Sequence, residues 1–184
     1  MFPRWIFFEM SLYFIAIEPP NDLSKRIREI QRDFKERYGS RKSYDSFPHI
    51  TLVPPFRSEE SSENSLIEKF HKIALPEQPF EIILDGFGSF SNRKNPVIFV
   101  KPHPSAHLNM MRNALVHHFT EAEDFFHPHL TVAYKDLTPE NFQRAWTEYN
   151  IKEFNGKWTV NSVKLYKHYD RLWNLVASRD IKKS

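Results

Sequence analysis

The chain has no cysteine. Disulfide staples, thiolate nucleophiles and thiolate metal ligands are therefore excluded, although that absence alone assigns no compartment. A long apolar run is also missing. The stretch from Met1 to Met10 is apolar for only a few residues, Glu9 and then Glu18 interrupt it, and no small-residue cleavage site follows. It reads as neither a secretory leader nor a membrane span, so a cytoplasmic monomer is the default expectation. Charge of one sign is scarce as well. The 26 Lys and Arg against 23 Asp and Glu leave +3, which suits a phosphate-bearing ligand without demanding nucleic acid. With 4 glycines in all, the chain has no Gly/Ser linker to separate independent units.

Its 184 residues are enough for one domain with a sizeable core, and 17 phenylalanines suit packed strands and helices rather than disorder. One pattern occurs twice. Phe47-Pro48-His49-Ile50-Thr51-Leu52 is followed, 80 positions on, by His127-Pro128-His129-Leu130-Thr131-Val132. Successive side chains of a strand point to opposite faces. His49 and Thr51 thus share one face, as do His129 and Thr131, while Ile50, Leu52, Leu130 and Val132 enter a core. Each copy offers an imidazole and a hydroxyl side by side on a rigid element.

The rest of the chain frames these copies. Leu12–Ile17 reads as a buried strand closed by Pro19-Pro20. A helix capped at Asn21 or Asp22 then carries Leu23, Ile27, Ile30, Phe34 and Tyr38 inward and ends at Gly39. Ser40–Ser46 is a basic, polar loop, and the first motif strand stops at Pro54-Pro55. An acidic loop at Ser58–Asn64 leads to a helix with Leu66, Ile67 and Phe70 inward. Phe80–Phe90 and Val97–Val100 are strands joined by a turn at Ser91–Pro96.

Ser105 opens a helix with Leu108, Met111, Leu115 and Phe119 buried, and Glu121–Asp124 is an acidic loop before the second motif. Thr138-Pro139 starts a last helix. Phe154–Tyr169 is one long strand region, and Leu172–Ser178 is the final strand. The pattern is an internal repeat of about 11–96 and 97–179 within one domain, 10–180, behind an N-terminal extension, 1–9. The expectation is an α+β fold of two pseudo-symmetric lobes, each with an antiparallel-rich sheet and helices, and the motifs facing each other across a central cleft.

With its paired His-x-Thr motifs, Phe87-Gly88-Ser89-Phe90 before the strand at Val97, and Val163-Lys164-Leu165-Tyr166 before the last strand, the chain resembles the 2H phosphoesterases. These are the 2′-5′ RNA ligase-like and cyclic phosphodiesterase group. The resemblance spans about residues 11 to 178. It implies a bilobal fold and metal-independent chemistry on a 2′,3′-cyclic phosphate or a 2′-5′ phosphodiester of an RNA end or nucleotide, with no cofactor.

The residue chemistry agrees. In-line phosphoryl transfer needs one oxygen deprotonated and another protonated, which two imidazoles near neutrality can do, while Thr hydroxyls donate to the non-bridging oxygens. Which histidine is the base stays open. Arg57, Lys135 and Arg171 are candidate phosphate cations, and Phe56 and Tyr134 candidate stacking partners for a base. Trp173 reads as core. Two rivals stand beside this reading: a non-catalytic phosphate-binding module in the same cleft, and a zinc hydrolase built on His127 and His129. His103 with His107 is a weaker zinc pair, and His71, His117, His118 and His168 read as surface or structural residues.

Overall fold

The computed structural model describes residues 9–76, 78–92, 94–120 and 126–181. The expected extension, apart from Glu9, and the acidic loop at Glu121–Asp124 lie outside them. The strands are β1 Met10–Ile17, β2 Ile50–Glu59, β3 Phe80–Phe90, β4 Val97–Pro102, β5 Leu130–Ala133, β6 Asn155–Val160, β7 Ser162–Tyr169 and β8 Leu172–Asp180. The helices are α1 Asn21–Tyr38, α2 Glu63–Lys72, α3 Ala106–Phe119 and α4 Pro139–Tyr149, with a short 3₁₀ turn at Glu60–Ser62.

The strands form one sheet of eight in the order β6-β3-β4-β5-β2-β1-β7-β8, with every pairing antiparallel. The fold is α+β, as the helix and strand periodicities imply. One face of the sheet and the inward stripes of all four helices share a single core that includes Tyr13, Ile27, Phe34, Phe70, Met111 and Tyr149. The other face carries a small aromatic cluster of Phe14, Ala16 and Tyr166, with Phe47 and Trp173 against it.

The sheet has two four-stranded halves joined through β2 and β5 by one residue pair, Ile50 with Leu130. Each half draws on both sequence repeats. β3 precedes β4 in the chain yet sits in the half with β5, and β7 and β8 cross over to complete the half with β1 and β2. The single pair lies directly after His49 and His129, so the join between the halves is where the two motifs meet.

Several boundaries differ from the sequence reading. Pro54-Pro55 does not stop β2, which runs on to Glu59. The ladder jumps from Tyr13–Phe56 to Ile15–Val53, so both prolines fall in a bulge where no N–H is needed. The same extension turns the first part of the expected loop at Ser58–Asn64 into strand. α1 has Pro20 at its N-cap and no capping side chain; proline is tolerated there because that N–H would have no partner within the helix. At its other end Gly39 takes φ 68°, the left-handed cap that favours glycine. The long region from Phe154 is two strands, broken at Asn161.

Candidate active site

The sheet face opposite the helices holds a cavity of about 320 Å³ whose lining includes His49, Thr51, His129 and Thr131. The register explains the grouping. Pairing Ile50 with Leu130 in antiparallel strands sets His49 across from Thr131 and Thr51 across from His129. β2 and β5 part immediately beyond that pair, and the cavity occupies the opening. Among the described residues neither threonine hydroxyl has a protein hydrogen-bond partner, which leaves both available to a ligand.

The two histidines are held alike. His49 Nδ1 lies 2.7 Å from the Phe47 carbonyl, and His129 Nδ1 lies 2.8 Å from the His127 carbonyl. A carbonyl only accepts, so each Nδ1 carries the proton and donates, leaving each Nε2 as the reactive nitrogen. Each ring also sits between two aromatic rings. Phe14 and Phe47 are 5.1 and 5.0 Å from His49, and Phe90 and Phe99 are 5.2 and 5.5 Å from His129. Phe99 can lie where it does because Gly88 is its cross-strand partner: a Cβ there would be 2.5 Å from the Phe99 ring.

These apolar surroundings act on the charge. Burial lowers the His49 pKa to about 4, opposed by the hydrogen bond to Phe47 and assisted by His129. Burial also lowers the pKa of His129, with the His127 carbonyl opposing. Both imidazoles are therefore biased toward the neutral form until an anion enters.

Of the other residues singled out in the sequence, Tyr134 and Lys135 line the cavity. Lys135 has φ 59°, and the Asp136 N–H donates to the Tyr134 carbonyl across it at 2.7 Å. A lysine at positive φ is strained, and such strain persists where the surroundings impose it. Here they do. The Asp136 carboxylate accepts from the Ser40 hydroxyl and from the backbone N–H groups of Arg41 and Lys42, pinning the Ser40–Ser46 loop as a wall of the cavity.

Three placements correct the sequence reading. Phe56 belongs to the helix-side core, stacked 6.0 Å from Tyr13 and 5.1 Å from Phe119, and cannot meet a ligand in the cavity. Arg57 and Arg171 lie outside the cavity, around a neighbouring pocket. Trp173 is not core: it lines the cavity, edge-on to Phe14 at 4.5 Å.

Gln31 and Ser43 also escaped the sequence reading. Gln31 is 1% exposed, and its Nε2 donates to the Thr131 carbonyl at 3.1 Å, while the Ser43 hydroxyl donates to the Val132 carbonyl. Together they satisfy the β5 edge where β2 has turned away. The available signal was a polar residue standing on the buried stripe of α1 between Ile27 and Phe34. Among the described residues no group of three or more His, Asp or Glu could hold a metal. His127 meets the Phe90 ring at 5.1 Å, His103 pairs with Asp85 at 3.3 Å, and His107 stacks on Phe80.

The α+β fold, an eight-stranded antiparallel sheet with four helices, matches solved LigT-like structures. Escherichia coli LigT complexed with 3′-AMP matches 95% of this chain and all of its own at TM-score 0.67 and 19% identity. A Thermus thermophilus protein matches 93% of this chain and 98% of its own at TM-score 0.67 and 17% identity. At such identities the likeness establishes the fold. The chain belongs to the 2′-5′ RNA ligase superfamily, whose family model matches residues 19–171. An Oceanobacillus iheyensis protein named "Putative phosphoesterase" is 30% identical over 162 residues, covering 86% of this chain and 90% of its own. A Geobacillus kaustophilus protein of the same description is 28% identical over 155 residues, covering 83% and 86%.

Proposed function

We propose that this protein is a metal-independent phosphoesterase that opens a 2′,3′-cyclic phosphate or cleaves a 2′-5′ phosphodiester at an RNA end or on a nucleotide. The observation that carries this reading is the pair of Nδ1–carbonyl locks, which leaves two Nε2 atoms and two free threonine hydroxyls around one cavity. His49, the imidazole held neutral down to about pH 4, serves as the base. It takes a proton from water as the water oxygen bonds to phosphorus. The bond from phosphorus to one ribose oxygen breaks in line, and His129, protonated on Nε2, gives its proton to that oxygen. Thr51 and Thr131 donate to the non-bridging oxygens, where charge resides throughout. Lys135, the cation in the cavity lining, adds attraction for the phosphate, and Tyr134 and Trp173 offer ring faces to a nucleoside. The bound anion raises both imidazole pKa values, which brings His129 into the acid role near neutrality. LigT structures with 3′-AMP, ATP and NADP+ support a ligand of nucleotide type.

A turnover panel of 2′,3′-cyclic nucleotides, 2′-5′ dinucleotides and ADP-ribose cyclic phosphates, run with EDTA, tests the reading. Turnover of one class that survives EDTA is expected. Loss on chelation with recovery on zinc would transfer the chemistry to a metal, and binding without turnover would make the protein a phosphate-binding module.

A further inference from the structure

The pocket that holds Arg57 and Arg171 continues the catalytic cavity along the same sheet face. Leu12 is the cross-strand partner of both Arg57 and His168, and His168 in turn pairs with Trp173. Directly paired residues share a face, so Arg57, Leu12, His168 and Trp173 form one row across β2, β1, β7 and β8. Trp173 lines the cavity, and the His168 ring lies 5.0 Å from it while lining the second pocket, whose volume is about 450 Å³. On β2 the step from one pocket to the other is Pro55 to Arg57, and on β1 it is Phe14 to Leu12. One same-face step, two residues, separates them on each strand.

The hairpin tip presents Arg171 at this pocket in an unusual way. Tyr169 pairs with Leu172, so the connection has two residues, Asp170 at φ 48° and Arg171 at φ 64°. Such turns favour Asn-Gly because both positions need positive φ. An arginine held there is fixed at the mouth of the pocket rather than left on a long loop. Among the described residues neither Arg57 nor Arg171 has an ion-pair partner. Acids are also present: Glu60 is taken by Lys167 at 2.6 Å, while Glu9 and Asp170 remain at the rim.

We propose that this pocket is a second phosphate subsite for an oligonucleotide whose reacting end occupies the catalytic cavity. The inference rests on the reading under Proposed function and narrows it to oligonucleotides over mononucleotides. Arg57 and Thr51 pair with Leu12 and Ala16, four residues apart on β1, a span of roughly 13 Å at about 3.3 Å per residue. That distance is too great for the phosphates of one nucleotide. The nearby acids keep the pocket from capturing free phosphate. A strand already anchored at the cavity, however, brings its next phosphates to the arginines at high effective concentration. Trp173 and His168 offer ring faces on the path between.

The test compares a short RNA ending in a 2′,3′-cyclic phosphate with the matching cyclic mononucleotide, using wild type and an Arg57→Ala/Arg171→Ala protein. The wild type should show a KM for the RNA about tenfold or more below that for the mononucleotide. The double variant should lose that advantage while keeping mononucleotide kcat and KM. Its log–log salt slope for RNA binding should become shallower by about 1.4, from two phosphate contacts at about 0.7 each. Equal KM values in the wild type, or an unchanged RNA KM in the variant, overturn the subsite. If the wild type turns over neither substrate, the phosphoesterase reading fails on its own. Fluorescence anisotropy with the same RNA then decides the subsite: weaker binding by the variant upholds it, and equal binding overturns it.

Discussion

The two motif copies share their spacing, their Nδ1–carbonyl lock and their pair of flanking rings, yet they sit in unequal halves of the sheet. The His49 half is built from β2, β1, β7 and β8, of ten, eight, eight and nine residues. It lays Phe14, Phe47, Tyr166 and Trp173 against one another beside the imidazole. The His129 half meets the join through β5, four residues long, and through β4, six residues long. The residue two before the motif histidine is Phe47 in one copy and His127 in the other, and His127 is exposed. A duplicated His-x-Thr motif thus places its two imidazoles in different surroundings. The difference lies in what the neighbouring strands pack around each ring.

The most severe test of this inequality is deletion of each imidazole. His49→Ala and His129→Ala should each lower kcat/KM by about 10²–10⁴, and the double variant should lose far less than the product, because the pair acts as a unit. If the halves are inequivalent as described, the two single variants will lose different limbs of the pH–rate profile. Identical profiles would erase the distinction between them.

The second test is the profile itself. Both free-enzyme pKa values are shifted down, so kcat/KM should peak on the acid side of pH 6.5. The kcat optimum should lie higher, since the bound phosphate restores the imidazolium. The same shift acts on stability. His49 is harder to protonate in the folded state, so lowering the pH from about 6.5 to about 4 costs the native state up to about 1.4 kcal/mol per pH unit through this group. The loss levels off below about 4. Urea midpoints measured across that window should fall in wild type and fall less in His49→Ala.

Smaller effects are expected from the hydroxyls. Thr51→Val and Thr131→Val each remove one charge-assisted hydrogen bond, about 1.5–3 kcal/mol, or roughly ten- to more than a hundredfold in kcat/KM. The cross-strand register predicts that Thr131→Val couples more strongly to His49→Ala than to His129→Ala in a double-mutant cycle.

The smallest change separates ligand binding from strain. Lys135→Gly should raise KM severalfold by removing a cavity cation. It should also stabilise the fold by up to about 1 kcal/mol, because glycine relieves the positive φ. A variant that weakens the substrate and lowers the melting temperature would show the turn to be unstrained.

The motif strands were legible in the sequence because alternation fixes which face a side chain takes. Ile50, Leu52, Leu130 and Val132 are all buried, and His49, Thr51, His129 and Thr131 all reach the cavity. Errors arose where nearness along the chain replaced that rule. Counting by twos from Leu52 already puts Phe56 on the core face, and counting from Thr51 puts Arg57 on the cleft face but too far along it. Trp173, Phe14 and Gln31 come from elements that meet the motifs only through the sheet order, which no local pattern records. The Pro-Pro pair reads as a terminator because a bulge becomes visible only once the partner strand is known.

The exchange of strands between the halves also shapes how this chain acquires its fold. β1 needs β7, and β3 needs β6, so pairings that complete each half join segments far apart in sequence. High contact order makes for slow folding, since loop closure is paid before those pairings reward it. During synthesis β1 and β2 emerge well before β7, which leaves β1 with an open hydrogen-bonding edge until Ser162–Tyr169, near the end of the 184 residues, arrives. Cutting the chain between the sequence repeats would therefore yield two fragments with unpaired edges, not two small domains.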